Sequence, residues 1–282
     1  MSAAAMSRAL GVKNKSYSAW KLRPASTRQL RFAALTVRVA DIYRQRKGRY
    51  GAPRILNALA EEGLRTSKKR VARAMNALGL RARKKPRFKH ASKDASAATK
   101  SKNLLARNFT ASGPNQKWTT DITPIWTRAG WLHLAVVIDL FSRRVVGFQT
   151  STKCDTALVL DALDAAVKKR APGRGLLLHS DRGSQYTSDL YGERLAHYGM
   201  TRSLSRPRNC WDNAPTESFF SSLKHELEIT GTSAKYATPK AGRAEVIEYI
   251  EGFYNSVRYH STLGYLSPAR YEDKATPRAR AA

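Results

Sequence analysis

From residue 116 onward, the sequence alternates between strand-like and helical patterns in an order that few folds accommodate. Three runs rich in β-branched and aromatic residues come first, at 118–126, 131–139 and 143–151, with breaks at Gly130 and Ser142. Helical and strand-like stretches then alternate: a helix capped by Asp155, a strand at 176–179, a helix at 184–198, a strand at 200–204 and a helix from near Pro215. We therefore predict an α/β fold in which a mixed five-stranded sheet carries helices on its faces.

Changes in composition divide the chain into five predicted regions. Residues 81–115 are rich in Arg, Lys, Ser, Ala and Asn and show little apolar periodicity, which predicts a solvated linker there. In chain order the regions are a basic helical region at 1–45, a helix-turn-helix-like domain at 46–82, a basic linker at 83–114, the α/β core at 115–230, and a C-terminal helix with a basic tail at 231–282.

Two short helical patterns lie within the second region. Pro53 suits the first turn of one helix, Ser67 can cap the other, and Val71 and Met75 give the second helix an apolar stripe. Basic side chains that would reach a DNA groove cover its other faces: Lys68, Lys69, Arg70 and Arg73. An ordinary basic αα-hairpin packed on its neighbour explains the same periodicity equally well.

The net charge indicates a polyanionic partner. The chain has 51 Lys and Arg against 21 Asp and Glu, a formal charge of +30 at pH 7. Because basic residues occur along the whole chain with apolar segments between them, nucleic acid is the expected partner. A ribosomal or histone-like protein would share the charge, but it would not usually be this long or this rich in strand-like segments.

Cysteine content and hydropathy indicate the compartment. Cys154 and Cys210 are too few for a disulfide framework or a cysteine-rich zinc site within the chain. The first residues lack a continuous apolar stretch, and the most apolar run, 131–141, is interrupted by His133 and Asp139. We predict a cytoplasmic protein without a secretion signal or a membrane span.

Three carboxylates stand where a metal site could be built. Asp121 lies in the first predicted strand, Asp181 directly follows the fourth, and Glu217 lies in the first turn of the last core helix. Chemistry on a phosphodiester can use two divalent cations held by carboxylates that converge from different elements. Taken singly, Asp181 is equally explained as a helix cap and Glu217 as a group that complements the helix dipole.

Five segments resemble one family in the same order. Residues 118–123 (WTTDIT), 179–186 (HSDRGSQY) and 212–218 (DNAPTES) resemble the three catalytic segments of the integrase-core transposases of bacterial insertion elements. Residues 50–55 (YGAPRI) and 254–268 (YNSVRYHSTLGYLSP) resemble the opening of the helix-turn-helix region and the closing motif of a narrower set, the second-reading-frame products of the IS-three group. Agreement across five ordered segments is specific.

The resemblance implies a ribonuclease-H-like integrase core and a DNA transposase that cleaves and joins strands at the ends of a mobile element. It assigns two Mg²⁺ ions, for which Mn²⁺ can substitute, to Asp121, Asp181 and Glu217, and contact with a DNA end to Lys224. It also implies element-end and target DNA as partners, a homo-oligomer in the DNA complex, the upstream-frame protein of the same element as a further partner, and a place at the bacterial nucleoid.

Several residues call for a separate interpretation. Pro124 departs from the family pattern, and because proline cannot donate to a strand ladder, we expect the strand to end by Thr123 or to contain a bulge. Asp139 is expected to end the second strand, and His179 to be a satisfied structural group. Arg258 is assigned to DNA binding, with contact to another subunit as its alternative.

Two rival functions are less favoured. A nuclease on the same core, such as a ribonuclease H or a junction resolvase, would hydrolyse nucleic acid without joining it, and the flanking basic regions argue against it. A DNA-binding repressor or a degenerate element remnant would have an inert core, and the complete acidic triad argues against that.

Overall fold

The chain divides into two compact units, Met1–Arg83 and Lys84–Ala282. The computed structural model describes residues 3–82, 102–207, 209–230 and 234–275. Most of the predicted basic linker, 83–101, and the predicted basic tail beyond residue 275 lie outside the described residues. No helix in the described ranges is long and apolar enough to cross a membrane.

Five helices form the described part of the first unit. They are α1 (Ala3–Ala9), α2 (Asn14–Lys21), α3 (Thr27–Gln45), α4 (Ala52–Glu61) and α5 (Lys68–Ala77). Ser67 caps α5 by accepting a hydrogen bond from the Arg70 amide, as predicted. Helix α3 packs against both α4 and α5, so this helix of the predicted basic region 1–45 belongs to the same compact unit as the helix-turn-helix pattern.

Buried aliphatic side chains hold α3, α4 and α5 together. Val39 on α3, Ile55 and Leu59 on α4 and Val71 on α5 are all fully buried. Each lies on the apolar face that its helical spacing predicts, and burial of each such side chain contributes roughly 1.5–3 kcal/mol. The opposite faces of these helices remain available to solvent.

The second unit contains a five-stranded sheet of order β3-β2-β1-β4-β5. Its strands are β1 (Lys117–Thr127), β2 (Gly130–Asp139), β3 (Val145–Ser151), β4 (Leu177–Ser180) and β5 (Thr201–Leu204). Strands β1, β2 and β3 are antiparallel, whereas β4 pairs in parallel with both β1 and β5. The mixed sheet confirms the predicted α/β class.

Helices cover the sheet and continue the chain to its C-terminal segment. They are α6 (Thr156–Arg170), α7 (Ser184–Thr187), α8 (Asp189–His197), α9 (Ala214–Glu226), α10 (Pro239–Ile247) and α11 (Pro268–Ala275). Helix α6 lies directly on β3, where a Cβ at Gly147 would stand 2.4 Å from the carbonyl oxygen of Ala162. Only glycine allows this approach of helix to strand.

Two predicted helices differ from those observed. The helix predicted at 184–198 is interrupted at Ser188, which has extended backbone angles and caps α8 by accepting from the Tyr191 amide. The helix predicted within the C-terminal region 231–282 begins at Pro239 and changes after Ile247 into a π-helical stretch, Glu248–Tyr254. The wider turns bury Tyr249, Ile250, Phe253 and Tyr254 together.

Pro124 neither ends β1 nor introduces a bulge. The β1–β2 ladder runs through it without a register shift, and Pro124 pairs with His133. The parallel pairing with β4 covers only Lys117–Thr119, and beyond it the same edge of β1 carries, among the described residues, a single bridge from Thr127 to Tyr236. Proline is tolerated because the strand has become an edge at this point.

Arg258 is a buried structural residue. Its side chain is 4% exposed, and its Nε and Nη2 donate to the Glu226 carboxylate at 2.7–3.0 Å, while the Tyr249 hydroxyl donates to the same carboxylate at 2.9 Å. A guanidinium held in this way cannot reach a phosphate. The assignment of Arg258 to DNA binding is therefore corrected: its side chain anchors the C-terminal segment to α9 through Glu226.

Replacing Arg258 with alanine is expected to lower the free energy of unfolding by about 3–5 kcal/mol, because Glu226 would stay buried without its cation. Urea unfolding of the purified chain measures this loss. Lys169→Ala is the matched control, because it removes the exposed Lys169–Glu251 pair and should cost less than about 1 kcal/mol. Equal losses in the two variants would contradict the buried-pair interpretation.

Candidate active site

Sheet register brings Asp121 and Asp181 level with each other. In the parallel pairing of β1 with β4, Thr119 lies opposite His179. Each aspartate follows its member of that pair by two residues, so both lie just beyond the same end of this ladder. Asp121 lies within β1, and Asp181 directly follows the end of β4.

Helix α9 brings Glu217 to the same part of β1. The Thr216 hydroxyl donates to the Thr119 hydroxyl at 2.8 Å, and the side-chain amide of Asn213 donates to the Thr120 carbonyl at 3.1 Å. These bonds fix the first turn of α9, which contains Glu217, against the strand that carries Asp121. Three separate elements therefore deliver the three carboxylates predicted from the sequence.

The charges of these groups act on one another. Burial raises the pKa of Asp121 well above its usual value, and the negative charges of Asp181 and Glu217 raise it further, while the positive charge of Lys224 opposes the shift. All four groups thus share one electrostatic neighbourhood. Accumulated carboxylate charge of this kind is typical of functional sites.

Backbone amides orient two of the carboxylates. Asp121 accepts from the Ile122 amide at 2.8 Å, and Asp181 accepts from the Gly183 amide at 3.0 Å. Within the described ranges, no three acidic, histidine or cysteine side chains converge closely enough to form a ready-made metal cage. Backbone hydrogen bonds therefore orient both aspartates.

A buried carboxylate that the sequence analysis did not single out supports the start of α9. Asp212 is fully buried and accepts hydrogen bonds from the side chains of Arg206, Arg107 and Asn103 at 2.7–2.9 Å. The Arg206 guanidinium holds the pKa of Asp212 well below its usual range. Its place directly before Asn213 in the third motif was the available signal, but the sequence does not show which distant cations meet it.

His179 and Asp139 have the structural roles predicted for them. His179 is fully buried between the hydroxyls of Ser203 and Ser205, at 2.8 and 3.1 Å, and burial lowers its pKa to about 4. Asp139 ends β2 and accepts from the amides of Asn115 and Phe141.

In the first unit, α5 presents a basic surface. Lys68, Lys69, Arg70 and Arg73 are all exposed, while Val71 faces the core. The Arg73 guanidinium also lies over the Phe32 ring, 4.9 Å from its centroid. The four residues predicted to meet DNA thus stand on the solvent side of one helix.

Family models match nearly all of the chain that carries these features. An integrase core domain matches residues 111–210, a second integrase core domain model matches 198–268, and an HTH-like domain matches 30–88. The first two include the sheet, α9 and the π-helical segment, and the third includes α3, α4 and α5. They confirm the predicted integrase-type core and the helix-turn-helix-like unit.

Two bacterial transposases are similar in sequence to this chain over almost its entire length. The transposase InsF for insertion sequence IS3A of Escherichia coli is 41% identical over 96% of this chain and 93% of its own length. The transposase for insertion sequence element IS904 of Lactococcus lactis is 39% identical over 89% of this chain and 98% of its own. A structure of the HTLV-2 integrase catalytic core domain in complex with magnesium aligns with 57% of this chain and 97% of that chain, at 17% identity and a TM-score of 0.41. Because the chain is 41% and 39% identical to these two transposases over 96% and 89% of its length, it belongs to the IS3 family of insertion-sequence transposases.

Proposed function

We propose that Asp121, Asp181 and Glu217 form one metal-dependent site that both cleaves DNA at the ends of the mobile element and joins the freed strand to a target. The observation that carries this proposal is the shared register of Asp121 and Asp181, with Glu217 held against the same strand by α9. Cleavage and joining are both phosphoryl transfers that differ only in the nucleophile, so a single site suffices.

The residues fit hard divalent cations. All three side chains offer carboxylate oxygens, the ligands that Mg²⁺ and Mn²⁺ prefer. Burial raises the pKa of Asp121, and repulsion from the charges of Asp181 and Glu217 raises it further. A cation would relieve that repulsion more effectively than a proton. Bound Mg²⁺, or Mn²⁺ in its place, would activate the nucleophile and neutralise charge at the phosphate.

The protein side chains have separate tasks in this mechanism. Asp121 and Asp181 would hold metal from the sheet and Glu217 from the helix, without forming a covalent bond to DNA. Lys224, seven residues after Glu217 on α9, contributes positive charge to the same neighbourhood and would contact the phosphates of the DNA end.

DNA recognition is proposed for the first unit. The exposed basic residues of α5 would enter a groove at the element end, in the manner of the second helix of a helix-turn-helix. Joining two element ends to one target implies a homo-oligomer in the DNA complex, and the upstream-frame protein of the element is a further proposed partner. The working location is the nucleoid within the cytoplasm.

Magnesium should stabilise the wild-type chain against thermal or urea unfolding, by about 2.7 kcal/mol at a concentration one hundred times the dissociation constant. Asp121→Asn should lose this gain, yet in chelator it should be at least as stable as wild type, because one repelling charge is gone. Asp161→Asn, on the exposed face of α6, should keep the gain. An undiminished magnesium effect in Asp121→Asn would exclude that residue as a ligand.

Glu217→Gln should reduce both nicking and joining of element-end DNA by about a thousandfold or more, because the amide is a poor metal ligand. Labelled oligonucleotides that carry the element ends, with a plasmid target and magnesium, report both products, and gel shift reports DNA binding, which should be unchanged. Glu193→Gln removes an exposed carboxylate on α8 and should leave both reactions intact. Retained joining in Glu217→Gln would contradict the proposal, as would hydrolysis by the wild type without any joined product.

Arg70→Ala should weaken binding to element-end DNA about tenfold and lessen its salt dependence by roughly one phosphate contact. Fluorescence anisotropy at several salt concentrations measures both quantities. Arg28→Ala, which removes an exposed positive charge from α3, is the control. If both variants weaken binding equally, the attraction is general charge and α5 has no special role.

A further inference from the structure

A cavity of about 220 Å³ lies within the second unit, on a side of α9 different from that of Glu217. Its walls come from α9, from the turn between β2 and β3, from Phe109 and from the chain around the π-helical segment. Ser218 lines it, and because successive helical residues are rotated by about 100°, the cavity lies beside the carboxylate site and is separate from it. The catalytic proposal gives this cavity no role.

Arg143 is the cationic group at the cavity. It stands in the β2–β3 turn with a φ of 60°, a left-handed conformation that glycine or asparagine adopts at lower cost. Its neighbour Arg144 pairs with Glu272 at 2.7 Å, whereas Arg143, among the described residues, has no ion-pair partner and makes one hydrogen bond, from Nη2 to the Phe109 carbonyl. Burial lowers the pKa of Arg143, while the charges of Tyr254 and Asp139 act in the opposite direction.

The rest of the polar lining is also suited to an anion. Ser218 and Thr262 present hydroxyl groups, whereas the Ser222 hydroxyl already donates to the Ser218 carbonyl at 3.0 Å; His260 is linked through Nδ1 to the Thr262 hydroxyl at 2.9 Å. Among the described lining residues there is no carboxylate. An anionic group would therefore meet a cation and hydroxyl groups, with the carboxylate of Asp139 close enough to act on Arg143 but not itself in the wall.

Aromatic rings form the other part of the wall. Phe109, Phe219 and Tyr254 line the cavity, and the rings of Phe219 and Tyr254 meet edge to face with centroids 4.7 Å apart. Phe219 and Tyr254 are buried, so the half-buried Phe109 supplies most of the ring surface that another planar ring could contact. The volume is below the roughly 300–1,000 Å³ of cavities that enclose drug-sized ligands, which favours a single small unit.

We propose that this cavity binds one unpaired nucleotide of the DNA substrate, with its phosphate at Arg143 and its base against the aromatic wall. The proposal rests on the DNA-joining function inferred above and adds a binding site for a single-stranded nucleotide next to α9. A free nucleoside monophosphate has the same chemistry, so the test must separate the two sources.

The test compares two DNA duplexes that carry the element end, one blunt and one with a short single-stranded tail containing 2-aminopurine. The full-length protein is titrated in chelator, so that no cutting or joining occurs. The wild type should bind the tailed duplex about tenfold more tightly, within the range that base–aromatic stacking contributes, and should quench the 2-aminopurine fluorescence.

Two variants remove the cavity's chemistry in different ways. Arg143→Asn removes the cation but keeps a residue that tolerates the left-handed turn, and Ser218→Leu fills the space from a helical position. Both should bind tailed and blunt DNA equally. Arg128→Asn, which removes an exposed charge from the β1–β2 turn, is the matched control and should keep the tenfold preference.

The outcomes are distinguishable. If the blunt duplex binds but the tail brings no preference, or if Arg128→Asn loses the preference as fully as Arg143→Asn, the nucleotide site is overturned while the function proposed for the chain stands. Deoxyadenosine monophosphate that binds more tightly than the tail would overturn the assignment to DNA. Failure to bind either duplex would count against the proposed function itself.

Discussion

The parallel pairing of β1 with β4 is the constraint on which the rest of the core depends. It covers only three residue pairs, ending at Thr119 and His179, yet it determines the relative positions of Asp121 and Asp181. The same short contact leaves the far half of β1 as an edge, where Pro124 is tolerated. Thr119 also meets Thr216, so the helix that carries Glu217 is aligned by the strand that carries Asp121. A one-residue slip between β1 and β4 would move Asp181 out of its place level with Asp121.

Scarce carboxylates tie the distant parts of this basic chain to the core. The chain has 21 acidic residues against 51 basic ones, and in the described part of the chain four buried acids, Asp139 among them through Arg170, each pair with at least one arginine. Asp212 binds Arg206 and Arg107 ahead of α9, Glu226 binds Arg258, and Glu272 on α11 binds Arg144 and Arg170. Removing one partner from such a pair is far more costly than losing an exposed ion pair. The carboxylates of the candidate active site differ because the negative charges of Asp181 and Glu217 act on buried Asp121, an accumulation of like charge that is typical of functional sites.

Strands and helices could be predicted because their signals are local, and the acidic triad is proposed from equally local motifs. Each of these signals is contained in a few consecutive residues: the β-branched runs, the caps at Asp155 and Ser67, and the three motifs. What the sequence could not supply depends on distant partners. In the sequence Arg258 is indistinguishable from any other basic residue, because its partner Glu226 is distant along the chain. Pro124 has the appearance of a strand breaker, because the sequence does not show that the pairing of β1 with β4 ends at Thr119. A serine such as Ser188 can cap a helix or lie inside one, and the sequence alone does not show that a new helix begins after it.

Anomalous scattering from crystals grown with manganese would test the central claim most directly. If Asp121, Asp181 and Glu217 form one two-metal site, the manganese peaks should lie between these three carboxylates, about 3.5–4 Å apart, with ligands contributed by both the sheet and α9. Manganese bound at some other cluster, or bound without Asp121, would contradict the account.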